Sequence, residues 1–495
     1  MKSIAFNNRY IKLGKDYSVE TRPDPVKNPA LIKFNHNLAE QLGLSETCLN
    51  AIENLPDSMA VFAGNQIPDG AQPIAMAYAG HQFGHFNPQL GDGRAILLGE
   101  IDVSDGTHFD IQLKGSGRTY FSRDGDGRAA LGPVLREYLL SEAMAKLGVP
   151  TTRALAVVTT GEEVARQQLL PGGIITRIAT SFIRVGTFQF FAARDNVGAI
   201  KTLADFVIDR NYPSAKNEDS PYITLLQLIV ERQAELIAKW MQIGFIHGVM
   251  NTDNMSIAGE TIDYGPCAFM DFYNHDQVYS SIDRNGRYAY SNQPSIGLWN
   301  LTRLAETFLP LLADDNDEAA KVAQDILKSY IELYEQNWLK GMREKLGLSV
   351  PLEKDKELVE DLLNIMAANK TDFTLTFYHL SRISTDSSHE ESFHDLFGGT
   401  QQIKPWLEKW RRRYSEESHS DGARESLMQA VNPVYIPRNH QIESAIRAAE
   451  DFGDFSVFNY LHDILQNPYV QQTGKESYML PPEPEEIVEK TFCGT

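Results

Sequence analysis

The chain has 495 residues, 42% of them hydrophobic and 10% aromatic, enough for a large core and more than one packing unit. Lysine and arginine total 46 against 66 aspartates and glutamates, a net charge of −20; this argues against a nucleic-acid partner and requires any bound anion to be held by a local cationic cluster, by backbone N–H groups or through a metal. The three cysteines, Cys48, Cys267 and Cys493, form no CxxC pair, which fits a reducing intracellular setting, and no apolar run approaches the roughly 18 residues of a membrane span.

Residues 60–200 are rich in glycine and carry short β-type runs at 95–98, 109–113 and 154–158, which predict a small sheet. His81 and His85 have HxxxH spacing, but Gly80 and Gly84 oppose a stable helix and no HExxH glutamate is present, so structural histidines are expected there rather than zinc ligands. Gly91-Asp92-Gly93-Arg94-Ala95 recurs as Gly125-Asp126-Gly127-Arg128-Ala129, predicting two similar backbone bends. One helix interrupts this half. Pro133 sits near its start with Glu137 in its first turn, Leu135, Leu139, Leu140, Ala143, Met144 and Leu147 supply the periodicity, and Gly148 with Pro150 closes it.

Beyond residue 200 the pattern turns helical, with Leu225, Leu228, Ile229, Leu236, Ile237, Trp240 and Met241 on one apolar face that ends at Gly244. Residues 211–220 read as a loop and 481–490 as an extended surface segment. The expected class is α+β: a sheet-containing region over 1–200 and a mainly helical one over 201–495.

The loop His247-Gly248-Val249-Met250-Asn251-Thr252-Asp253-Asn254, followed by Asp263-Tyr264-Gly265, has the order of a kinase catalytic loop and its metal-binding Asp-Phe-Gly. Asn254 and Asp263 fall where metal ligands stand, but Val249 takes the place of the usual catalytic aspartate. A valine cannot deprotonate a hydroxyl, so Asp253 is the nearest candidate base. Upstream, Lys114 ends a β-type run and Glu137 lies on the next helix, in position to pair with it as kinases pair lysine and glutamate over phosphates. Gly91, Gly93 and Arg94 form a turn able to nest an anion. Arg177 and Arg184 are seven residues apart, about two helical turns if that segment is helical, and could converge on a phosphate chain. Taken singly, each has an ordinary reading as a turn or a solvated side chain; their order within one chain favours the functional one.

Together with Gly80-His81-Gln82-Phe83-Gly84, Leu113-Lys114-Gly115-Ser116-Gly117, Ser122-Arg123-Asp124-Gly125-Asp126-Gly127-Arg128, Asn292-Gln293-Pro294 and Tyr435-Ile436-Pro437-Arg438-Asn439-His440, these segments resemble the selenoprotein O family, kinase-like proteins assigned as protein adenylyltransferases. The resemblance implies a protein-kinase-like bilobal fold that binds ATP in reversed orientation, exposes the α-phosphate, and transfers AMP to Ser, Thr or Tyr hydroxyls of protein substrates, redox-related proteins among them. It further implies Asp253 as base, Asn254 and Asp263 as ligands of Mg²⁺ or Mn²⁺, and Lys114, Arg177 and Arg184 on phosphates. Gly91, Gly93, Arg94, Asp126, Gly127 and Asp263 complete the implied nucleotide site, with Glu137 supporting Lys114. For a bacterial source the implied location is the cytoplasm. Cys493 matches the near-terminal cysteine or selenocysteine of the family, with Cys267 as its candidate redox partner. UMP transfer from UTP, a conventional phosphotransferase and an inactive nucleotide-binding scaffold are the alternatives; Val249 argues against the second, and the retained Asp253, Asn254 and Asp263 against the third.

Overall fold

Short β-type runs in the first 180 residues, the central ones buried almost throughout, pair mainly into one antiparallel sheet. The computed structural model describes residues 4–44, 56–383 and 387–492. Its strands in this half are β1 (Ser18–Glu20), β2 (Ala30–Phe34), β3 (Ile74–Met76), β4 (Gly80–Gln82), β5 (His85–Asn87), β6 (Ala95–Asp102), β7 (His108–Lys114), β8 (Ala129–Ala130), β9 (Arg153–Ala165) and β10 (Leu169–Ala179). The sheet runs β1-β3-β6-β7-β10-β9-β2, with β8 also on β10, while β4 and β5 form a separate hairpin. Register places Lys114 opposite Ile175 and Gln112 opposite Arg177. Because side chains alternate faces along a strand and paired residues share a face, Gln112, Lys114 and Arg177 project to the same side. Their neighbours Ile111 and Leu113 join Leu98, Val158 and Ile174 in the apolar core on the other side.

The helix Leu131–Lys146 packs against β9 and β10 and, on its far side, against the helices Asn439–Phe452 and Ser456–Leu465. Almost every position from Leu131 to Met144 is therefore buried. The second half is helical. Pro221–Gln242, Gln293–Leu312 and Asn316–Lys345 pack together, and a further apolar cluster around Trp406, Trp410, Met342 and Phe377 fills the region beyond them.

The three β-type runs lie inside β6, β7 and β9, and the two expected helices form. Four local readings are corrected. Glu137 is the seventh residue of its helix, in the second turn, because Pro133 occupies the third position, where its missing N–H costs nothing. Residue 211 ends the helix Val197–Asn211, and Pro213–Asn217 is a 3-10 turn rather than open loop. The two Gly-Asp-Gly-Arg-Ala copies bend differently: the left-handed glycine is the first in one copy, Gly91 at φ +77°, and the second in the other, Gly127 at φ +68°. Identical letters take different bends because their surroundings differ: Phe121 packs over Gly91, and the Gly117 carbonyl lies against Gly127. The fourth concerns Arg177 and Arg184, which share no helix. Arg177 lies on β10, and Arg184 caps the N-terminus of the helix Val185–Ala192.

Candidate active site

A cavity of about 650 Å³ opens between the sheet and the loop that follows Pro221–Gln242, within the range of small-molecule and cofactor sites. Gly91, Gly93, Arg94, Lys114, Asp126, Gly127, Arg177, Arg184, Asp253, Asn254 and Asp263 all line it. Glu137 stands behind them and reaches the site through Lys114 and Arg177.

The loop is closed at its base by β11 (Phe245–Ile246) pairing with β12 (Ala268–Phe269). His247 is buried at that base, its Nε2 2.9 Å from the Ile262 carbonyl, while its backbone N–H donates to Gln293. It thus ties the loop to the strand-like segment ahead of Asp263. Burial lowers its pKa, so the neutral ring is favoured.

Asp263 is the electrostatic centre. It adopts a left-handed backbone, φ +61°. Its Oδ1 lies 3.2 Å from Lys114 Nζ and 2.8 Å from Arg177, and its Oδ2 3.1 Å from Arg184. Burial alone would raise its pKa, but the three cations outweigh that effect and hold the carboxyl well below the ordinary carboxylate range. Lys114 Nζ also meets Glu137 Oε2 at 2.5 Å, and Arg177 meets Glu137 Oε1 at 3.2 Å. Three cations thus share two carboxylates, Glu137 and Asp263, and this surplus of positive charge sits inside an acidic protein.

Asp253 differs in character. It lies on a 3-10 turn, Thr252–Asn254. Its Oδ2 accepts from Gln82 Nε2 at 3.1 Å, and its buried Oδ1 has no hydrogen-bond partner among the described residues. Burial pushes its pKa up to about 6. Arg184 meets Asp253 at its backbone carbonyl, 2.7 Å away, and not at its carboxylate. The two aspartates are therefore driven apart, one locked as an anion and the other made basic, a separation that suits distinct electrostatic and proton-transfer roles. Asn254 donates its side-chain amide to the Val249 carbonyl at 3.0 Å, which leaves the amide oxygen for another partner.

The glycine turns form the cavity's outer wall. A Cβ on Gly91 would lie 2.2 Å from the Phe121 ring, and one on Gly127 1.9 Å from the Gly117 carbonyl. Asp126 pairs with Arg166 at 2.9 Å and accepts from the Arg128 backbone N–H, which draws the second turn against the end of β9.

Sequence reasoning missed four residues here. Buried Asp92 accepts from the Met76 N–H and from Gln112 Nε2, and Gln112 in turn accepts from Arg177 Nε at 3.1 Å. Tyr78 lies under the Arg184 guanidinium, 4.5 Å from its ring centre. Gln82 reaches Asp253. None of the four was assigned a role of its own by the motifs around it, and Gln112 and Arg177 come together through register alone. His81 lies on β4 with its Nδ1 2.9 Å from Gln189 Nε2, and His85 pairs with Gln82 across the hairpin. Cys48 and Cys493 lie outside the described residues. Cys267 is buried. Beside it, the Thr491 hydroxyl donates to the Pro266 carbonyl at 2.6 Å, and the Thr491 N–H to the Tyr279 carbonyl at 2.8 Å.

A family model described as protein adenylyltransferase SelO matches residues 1–466. Proteins named protein nucleotidyltransferase YdiU are similar over the full length. The one from Rhizobium etli (strain CIAT 652) is 54% identical over 493 residues, covering 100% of this chain and 98% of the relative. That from Rhizobium meliloti (strain 1021) is 53% identical over 495 residues, 100% of both chains. That from Rhodopseudomonas palustris (strain BisB18) is 55% identical over 490 residues, 99% of both. A sheet and a helical region enclosing a polar, cation-rich cleft are here the frame of an enzyme, a nucleotidyltransferase. The chain belongs to the SelO family of protein adenylyltransferases.

Proposed function

We propose that the cleft transfers AMP from ATP to a Ser, Thr or Tyr hydroxyl of a protein substrate and releases pyrophosphate, with Asp253 taking the hydroxyl's proton. The observation that carries this reading is the contrast between the two aspartates. Asp253 lines the cleft with a raised pKa and a carboxylate that makes no ion pair among the described residues, whereas Asp263 is fixed as an anion by Lys114, Arg177 and Arg184. Phosphate oxygens entering the cleft would share those three cations, and the glycine turns at Gly91 to Arg94 and at Asp126 to Gly127 admit a phosphate chain close to the backbone. The order of sheet lysine, helix glutamate, catalytic loop and Asp-Tyr-Gly supports a protein-kinase-like bilobal frame, divided near residue 200.

The residues fit a hard divalent cation. The Asn254 amide oxygen and the Asp263 carboxylate are oxygen donors of the kind Mg²⁺ and Mn²⁺ take, and both line the cleft. Bound there, such an ion would neutralise charge on the phosphates. Asp253 would orient and deprotonate the attacking hydroxyl, while Lys114, Arg177 and Arg184 hold the nucleotide against it.

ATP labelled separately at the α- and γ-phosphates tests the reading. Protein should acquire the α label alone, with release of pyrophosphate. Incorporation of γ label would instead establish ordinary phosphorylation, and preferential labelling from α-labelled UTP would establish uridylyl transfer.

A further inference from the structure

The hairpin β4–β5 is bonded residue by residue to the loop that carries Asp253. The His81 N–H donates to Thr252 Oγ1 at 2.7 Å, Gln82 Nε2 to Asp253 Oδ2 at 3.1 Å, and the Phe83 N–H to Asn251 Oδ1 at 3.1 Å. Thr252 in turn donates to Gln189 Oε1 at 2.6 Å, and Tyr288 to Asn251 Oδ1 at 2.6 Å. Three consecutive hairpin residues thus hold three consecutive loop residues, and only the middle contact falls on a side chain of the proposed chemistry. Gly80 closes the other side: a Cβ there would lie 2.5 Å from Asp253 Oδ1. The carboxylate is confined between the Gln82 amide and the Gly80 backbone.

We infer that Gln82 is the positioning residue of Asp253, its amide holding one carboxylate oxygen so that the carboxylate keeps a single orientation toward the cleft. The inference rests on the reading of Asp253 as the base. Gln82 itself lines the cleft, and it is the side-chain donor bonded to that carboxylate among the described residues. An amide is suited to the task because it donates a directional hydrogen bond without bringing a charge of its own into the cleft. Losing this bond would free the carboxylate to rotate, and an error of about 1 Å in the placement of a reacting group costs up to ~10²-fold in rate.

The test uses the full-length protein with α-phosphate-labelled ATP and casein as acceptor. Gln82→Met keeps the length of the side chain and removes the donor. It should lower kcat by roughly 10- to 100-fold while the KM for ATP and the Tm stay at their wild-type values, a split that mere loss of folding would not produce. Gln82→Leu, also without a donor and without charge, should show the same split and carries the test if the Met variant does not fold. Asp253→Asn is measured beside them. Wild-type kcat in the Gln82 variants together with lost transfer in Asp253→Asn overturns the role of Gln82 alone. Wild-type kcat in Asp253→Asn overturns the reading of Asp253 as base, and this inference with it.

Discussion

Arg177 joins Glu137 and Asp263 through one guanidinium nitrogen, at 3.2 Å and 2.8 Å, although the three residues come from a strand, a helix and a loop spread over much of the chain. The two carboxylates do not substitute for each other. Glu137 is deeply buried behind the site, whereas Asp263 lines the cleft.

Asp263→Ala should leave Lys114 and Arg177 with Glu137 as their shared carboxylate and take from Arg184 the carboxylate it pairs with. Removing one partner from a buried charge cluster costs about 3–5 kcal/mol, so the Tm should drop markedly in anion-free buffer. Inorganic pyrophosphate should restore much of the loss by supplying the missing negative charge. Thermal melts with and without pyrophosphate check this, and an equal deficit in both would refute it.

Glu137→Gln should weaken ATP binding without contact between residue 137 and the ligand. The amide keeps the shape but removes the charge that holds Lys114 and Arg177 in place. An ATP affinity lower by roughly 10-fold, about 1.4 kcal/mol, is expected from calorimetric titration.

Asp253→Ala should abolish transfer, lowering kcat by about 10²–10⁴-fold, while ATP binds nearly as in the wild type, because Asp253 makes no ion pair with the cations of the site. Turnover and equilibrium binding measured on the same preparation separate the two effects.

Gly127→Ala should be far more damaging than substitution at a glycine of similar backbone. Gly127 and Gly453 both adopt φ near +67°, but a Cβ at Gly127 would strike the Gly117 carbonyl at 1.9 Å, whereas Gly453 has open space. Gly453→Ala should cost only its backbone strain, about 1 kcal/mol. Gly127→Ala should in addition displace the turn and raise the KM for ATP.

Lys345→Met should stabilise the protein in a pH-dependent way. Lys345 is buried, and burial lowers its pKa from 10.5 to about 7, although its ammonium lies 4.3 Å from the centre of the Phe377 ring, which offsets part of the cost. Below pH 7 the folded protein must charge this group against its environment. The penalty is full there and disappears as pH rises toward 10.5, above which both states are neutral. The gain in Tm from Lys345→Met should therefore be largest near pH 6 and vanish near pH 10.5.

What could be read in the sequence was local. Periodicity located β6, β7, β9 and the helices Leu131–Lys146 and Pro221–Gln242, and the spacing from His247 through Asp263 marked the loop and its aspartates. Pairings that depend on sheet register or on distant loops left no such trace. Gln112 meets Arg177 because β7 and β10 are neighbours in the sheet, and nothing between residues 112 and 177 announces that adjacency. Gln82 and Asp253 meet through a hairpin too short to show a pattern. Arg184 took a helix cap rather than a helix face, because Val185–Ala192 begins just after it and reads equally well as a buried strand. The near-terminal cysteine lies outside the described residues, so its expected link to Cys267 stands as an expectation.

The helix that carries Glu137 is also secured from behind. Arg136 donates to Asn439 at 2.8 Å and pairs with Glu443 at 2.6 Å, and the Gly132 N–H donates to Glu450 at 2.8 Å. In kinases the helix that bears the paired glutamate can swing outward, which breaks the lysine–glutamate pair and switches the enzyme off. With the sheet on one side and Asn439–Phe452 bolted to the other, such a swing would have to tear a buried arginine from its partners and open the apolar core. Glu137 is thus braced on two sides, and its bond to Lys114 is held by the packing of the whole helix.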